Sequence, residues 1–395
     1  MKINITTDIR YALFYFFVVV CLGIFLRFAF VFPIPFEYNY RYVLHAHSHT
    51  AFLGWMYVLL SSLISREFIS IIYEKQYRRL FYATQFSVIG MLFSFLFQGY
   101  GAISITFSSL FVILSYCFAY LFLKKWKNDN AKNSISYLFI KMGVIYLVLS
   151  SLGIWAIPFS IIKFGKDSAI YNASIAFFLH FQYNGWICST LIGLFIHKFK
   201  WEEHFPKLIK KVFYVFQIAV VGTLVVSWLG IYNYIPYYII GGLSSFLWLI
   251  AIGIISYLYF FRNNQKMYLS TLFLVFFILK ICVMIIGIVL GYSNPIFSNP
   301  DLLIAYLHLN FLGVISVGLL YFLKVDNLLK IHKFSVFVYL FAFLSTELLI
   351  VYKGISVWLN LPFFDGYFQL LAIGSTLFLF PVFSWLMISL KMKKG

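Results

Sequence analysis

The chain alternates long apolar runs with short polar links along its whole length. A helix needs about 20 apolar residues to cross a bilayer core, and twelve runs meet that length: 11–33, 43–65, 80–99, 102–124, 135–160, 170–197, 209–231, 236–260, 267–292, 300–323, 334–355 and 366–390. The runs are continuous rather than alternating, which predicts helices and not the strands of a membrane barrel. The links are too short to hold a soluble domain. The fold class expected is therefore an all-α integral membrane protein of twelve transmembrane helices, one polytopic domain over 1–395.

Composition agrees with that pattern. The 395 residues are 63% hydrophobic and only 11% charged, a balance that excludes a soluble domain of this size. The net charge of +18 is explained by topology rather than by nucleic acid. With the N-terminus cytoplasmic, 23 of the 30 Lys and Arg fall on inner segments and five on outer ones, the remaining two (Lys141 and Lys280) lying within helices. This bias follows the positive-inside rule and predicts both termini in the cytoplasm, with the basic loops against anionic headgroups and no nucleic-acid partner. The first apolar run has no small-residue cleavage site behind it, so it is expected to remain as an anchor. The four cysteines (Cys21, Cys117, Cys188, Cys282) all lie inside apolar runs and form no Cys-x-x-Cys pair, which predicts buried small residues.

Histidine breaks the apolar pattern, and does so periodically. The stretch "HTAFLGW" sets His49 five residues before Gly54, "LHFQYNGW" sets His180 five before Gly185, and "LHLNFLGV" sets His308 five before Gly313. The separations are 131 and 128 residues, so one His-x4-Gly element heads helices 2, 6 and 10. This predicts a three-fold internal repeat of four helices, over approximately 1–132, 133–266 and 267–395, related by an axis along the membrane normal. The three marked helices would run from outside to inside, so their histidines share one depth. Polar groups inside a membrane usually face the bundle interior. Imidazole is the commonest metal ligand and a usual axial ligand of haem iron, and the residues alone leave both open. His45 and His47 join His49 ahead of helix 2. His45 and His49 are four apart and share a helix face, whereas His47 points nearly the opposite way.

Twelve spans, both ends inside, and histidines on helices 2, 6 and 10 resemble the catalytic subunit of the haem–copper oxidase superfamily. "HSHTAFLGW" (47–55) is similar to the motif of its C-type oxidases and nitric-oxide reductases, and "LHAHSHTAFLG" (44–54) resembles a segment of the NnrS-type haem- and copper-containing proteins of nitric-oxide tolerance. The resemblance implies a non-covalent b-type haem held by His49 and His308, a copper ligand at His180, and a role in respiratory electron transfer or nitric-oxide and oxygen handling. It also implies an oxidoreductase with a redox partner subunit in a bacterial-type inner membrane. The family carries a second histidine two residues after the first on helix 10, where this chain has Asn310, and adjacent histidines on helix 7, where it has none. The copper site is therefore incomplete, and full oxygen reduction is not expected.

Four further charges bear on such a site. Arg27 and Arg41 lie on the outer side, where cations are scarce, and the arginine fork suits a haem propionate. Lys280 and Glu347 each sit about thirteen residues into a span, where a charge costs roughly 2.5–3.5 kcal/mol on insertion scales. An intramembrane pair or proton relay between them would offset that cost. The alternative function is a polytopic transporter for a metal or small solute, which twelve spans with internal repeats also describe.

Overall fold

A computed structural model describes residues 2–124, 134–263, 266–292, 297 and 299–392. Lys125, Lys127, Lys132, Lys393 and Lys394, counted above among the inner charges, and the repeat boundary at 132/133 lie outside the described residues. Among the described residues the regular elements are all helical, and ten helices are long and apolar enough to cross a membrane. The protein is an α-helical multi-pass membrane protein. Two further helical runs, Tyr40–Phe68 and Ala169–Phe199, cover the expected spans 43–65 and 170–197 but are not among the ten.

The chain divides into two compact units, Met1–Asn128 with Leu319–Gly395, and Asp129–Gly318. The first unit contains the Thr6–Phe28, Ile71–Gln98, Ala102–Lys124, Lys333–Leu359 and Tyr367–Leu390 spans. Its helices turn the soluble pattern inside out. Along Glu74–Gln98, Phe86, Phe93 and Phe97 are exposed while Ser87 and Ser94 are buried. Apolar side chains there gain nothing by leaving lipid, whereas small residues let backbones approach and hydroxyls find carbonyls. Ser87 Oγ donates to Phe107 O on the next helix at 2.8 Å.

The Thr6–Phe28 helix begins five residues before the expected run 11–33 and ends five residues before its end. Asp8, at its head, is fully buried and is made tolerable by an ion pair with Arg78 and by Tyr77 Oη, which donates to Asp8 Oδ2 at 2.6 Å. Arg78→Met removes one of these two partners from a buried carboxylate. It is expected to cost about 2–3 kcal/mol in detergent unfolding, and Asp8→Asn in the same chain is expected to recover part of that.

The second unit contains the Ile135–Phe164, Pro206–Trp228, Ile235–Arg262 and Tyr268–Gly291 spans and the Pro300–Val325 span as far as Gly318. The carboxylate of Glu202 caps the Ile135–Phe164 helix, accepting the backbone N–H groups of Ile135 (2.6 Å) and Ser136 (3.0 Å) that the first turn leaves open.

Candidate functional site

Among the described residues three segments are π-helical: Thr50–Tyr57, Phe181–Ile187 and Leu309–Ser316. The residues immediately before them are His49, His180 and His308. The π-helix is rare, occurs mostly as single-turn bulges, and concentrates at functional sites. Runs of seven and eight residues, each starting at a repeat histidine, mark these three places as equivalent in local structure as well as in sequence.

The glycine of the motif has a packing reason in the first two copies. A Cβ on Gly54 would lie 2.7 Å from Tyr15 Cγ, and a Cβ on Gly185 would lie 2.7 Å from Tyr146 Cβ. Tyr15 and Tyr146 stand 131 residues apart, the same interval that separates His49 from His180. In each copy a tyrosine from the preceding span packs against the glycine of the π turn. Both tyrosine hydroxyls are buried without a hydrogen-bond partner. Beside the first, Trp55 stacks on Phe16 with ring centroids 4.4 Å apart.

The opening histidines divide as their spacing predicts. His47 faces the Thr6–Phe28 helix, where its Nδ1–H donates to Val19 O at 3.0 Å. Its ring fits there because residue 23 is glycine; a Cβ at Gly23 would lie 3.0 Å from His47 Cε1. His45 and His49 share the other face with Phe95 and Tyr100. His49 Nδ1–H donates to His45 O at 2.9 Å, which places the lone pair on Nε2, 3.3 Å from Tyr100 Oη. These tautomers follow from the hydrogen bonds, since a carbonyl can only accept.

His180 is different. Its Nε2–H donates to Val220 O at 2.8 Å, and its Nδ1 accepts from Asn184 Nδ2 at 3.2 Å. Both ring nitrogens are engaged and the ring is buried. In this structure His180 is a core histidine hydrogen-bonded at both nitrogens. His308 is half-buried at the end of the Pro300–His308 helix. Two residues on, Asn310 Nδ2 donates to Tyr306 O at 2.6 Å. Among the described residues no group of three or more His, Cys, Asp or Glu side chains could hold a metal ion.

Asn184 leads to the most unusual residue of the second unit. Lys280 is fully buried. Its Nζ donates to Asn184 Oδ1 at 2.5 Å and lies 3.5 Å from Cys188 Sγ. Around it stand the faces of Trp248, Phe277 and Tyr183, with ring centroids at 4.6, 5.1 and 5.5 Å. An ammonium is attracted to such faces, most strongly when desolvated. Because lysine can only donate when charged, it fixes the direction of the whole chain. Asn184 must turn its oxygen to Lys280 and its nitrogen to His180, and His180 must then carry its proton on Nε2.

Lys280 and Glu347, expected as an intramembrane pair or proton relay, fall in different units. Within its own unit the ammonium is met by an amide oxygen, a thiol and three rings, and the two carboxylate oxygens of Glu347 are buried without a hydrogen-bond partner. The cation whose charge reaches Glu347 is Arg27. Arg27 is half-buried in the last turn of Thr6–Phe28, and Arg41 is exposed in the first turn of Tyr40–His49. Asn184, Cys188, Trp248, Tyr15 and Tyr146 were not singled out from the sequence as site residues. Asn184 carried a signal, standing four residues after His180 on what reads as one helix face.

No protein-family model matches the chain, and no curated protein matches it.

Proposed function

We propose that the chain is a twelve-span, haem-binding protein of a bacterial-type inner membrane, with both termini cytoplasmic, acting in respiratory electron transfer or nitric-oxide and oxygen handling. The ten apolar spans together with Tyr40–Phe68 and Ala169–Phe199 make twelve, and the three histidine-headed π segments support three repeats of four. The observation that carries the haem reading is the tautomer of His49. An axial imidazole needs a free Nε2 lone pair and an Nδ1–H anchored on a carbonyl, because the anchor orients the ring and raises its basicity. His49 has the anchor, His45 O, and its Nε2 lone pair faces the Tyr100 hydroxyl at 3.3 Å. His47 has the same anchor type on Val19 O, and His180 does not.

A bound haem would supply a redox-active iron, used for electron transfer with two axial imidazoles and for binding a diatomic gas with one. The chain's own part is to hold His49 in one tautomer and to yield Nε2 as the Tyr100 hydroxyl turns away. The exposed Arg41 and half-buried Arg27 are the cations available to propionates.

Reduced-minus-oxidised visible spectra of the detergent-purified chain test this. A Soret band with sharp reduced bands is expected, lost or strongly shifted in His49→Ala. His308→Ala reports whether a second imidazole is used, and His180→Leu is expected to keep the bands unchanged. A colourless protein after haem-supplemented expression would overturn the reading in favour of a transporter.

A further inference from the structure

The contact between Lys280 and Cys188 has no part in haem binding, and it places a nucleophilic nitrogen against an oxidisable sulfur in a dry enclosure. Both side chains are fully buried, and Nζ lies 3.5 Å from Sγ. We propose that the two residues are a covalent modification site, at which a hydroperoxide oxidises Cys188 and Lys280 traps the product as a sulfur–nitrogen link.

The surroundings supply a partner for each step. A neighbouring cation favours the thiolate, and here the ammonium formed when the neutral Lys280 amine takes the thiol proton is held by Asn184 Oδ1 and by the faces of Trp248, Phe277 and Tyr183. The thiolate attacks the terminal oxygen of the hydroperoxide, the O–O bond breaks, and sulfur becomes a sulfenic acid while peroxide oxygen is reduced. The departing alkoxide takes a proton from the Lys280 ammonium and leaves as an alcohol. That transfer leaves Lys280 as a neutral amine, its lone pair next to an electrophilic sulfur. Sulfenic acids condense with nitrogen to sulfenamides. The amine attacks sulfur, the S–O bond breaks, and the hydroxide departs with an amine proton as water. The net change is loss of two hydrogens from the chain, with one hydroperoxide converted to alcohol and water. Two equivalents of thiol return the amine and the free cysteine. The oxidant class is set by chemistry: an alkyl or lipid hydroperoxide is apolar and partitions into the bilayer in which the chain lies.

The test uses the detergent-purified full chain, cumene hydroperoxide, and digestion without reductant before mass spectrometry. The expected product is one cross-linked peptide pair containing Cys188 and Lys280, two hydrogens lighter than the sum of its parts and separated again by dithiothreitol. Cys188→Ser and Lys280→Met each abolish it, and in Lys280→Met the untrapped sulfur is expected to advance to sulfinic acid. Cys117, which is exposed, serves as the oxidation control in the same sample. Wild-type protein in which Cys117 oxidises while Cys188 does not, or in which Cys188 reaches sulfinic acid without a link, overturns the proposal. The wild-type readout is decisive even if a variant fails to fold, and it is the same whether or not the chain binds haem.

Discussion

Asn184→Leu is expected to destabilise the protein by about 3–5 kcal/mol, the cost of leaving a buried charge without its partner. Lys280→Met, at the other end of the same hydrogen bond, is expected to cost less, about 1–3 kcal/mol, because it strands only a neutral amide oxygen. The asymmetry follows from what each change leaves behind. Without Asn184, the ammonium keeps only a weak thiol contact and three ring faces, and His180 Nδ1 loses its donor as well. Without Lys280, the amide can rotate and His180 keeps its bond to Val220 O. The double variant is expected to be more stable than Asn184→Leu alone, since removing both partners together removes the stranded charge. Reversible denaturation in detergent, followed by tryptophan fluorescence, measures all three and closes a double-mutant cycle. If Asn184→Leu proves no worse than Lys280→Met, the amide does not solvate a charge.

The same residues divide what the sequence discloses from what it withholds. Where an apolar run is bounded by loop residues, hydropathy finds the helix to the residue, as at 102–124, observed as Ala102–Lys124. Where a polar residue is solvated by a distant one, hydropathy stops short. The first helix was expected from residue 11 and starts at Thr6, because Asp8 is neutralised by residues 69 and 70 positions away. The π segments left no trace in hydropathy, since a run that is apolar all round shows no period to distinguish a wide turn from an ordinary one. Their sign was the His-x4-Gly spacing, which marks a repeat but not a change of turn. Lys280 was legible as costly, but its partner was sought among opposite charges on neighbouring helices. An amide oxygen 96 residues upstream carries the contact instead, and an amide does not announce itself as a counter-group.

Gly54→Leu and Gly185→Leu are each expected to cost more than about 3 kcal/mol, the usual upper range for overpacking. At both sites the first added carbon already falls 2.7 Å from the root of a tyrosine ring. The near end of a side chain cannot swing aside as its tip can, so the tyrosine helix or the π turn must move. Gly54→Ala and Gly185→Ala are accordingly expected to cost about 1–3 kcal/mol each. Gly242→Ala, where nothing stands within 4 Å of the added carbon, should be neutral or slightly stabilising in its helix. Combining Gly54→Ala with Tyr15→Ala, and Gly185→Ala with Tyr146→Ala, should return much of the loss, with coupling energies of the same sign and similar size in the two pairs. Tyr15→Phe and Tyr146→Phe should each be neutral or stabilising, because both hydroxyls are buried without partners. Matched coupling at positions 131 residues apart is what a repeated unit requires. A pair that couples at Gly54 but not at Gly185 would mean that the shared histidine spacing marks two unrelated contacts, and the expectation of an internal repeat would fall with it.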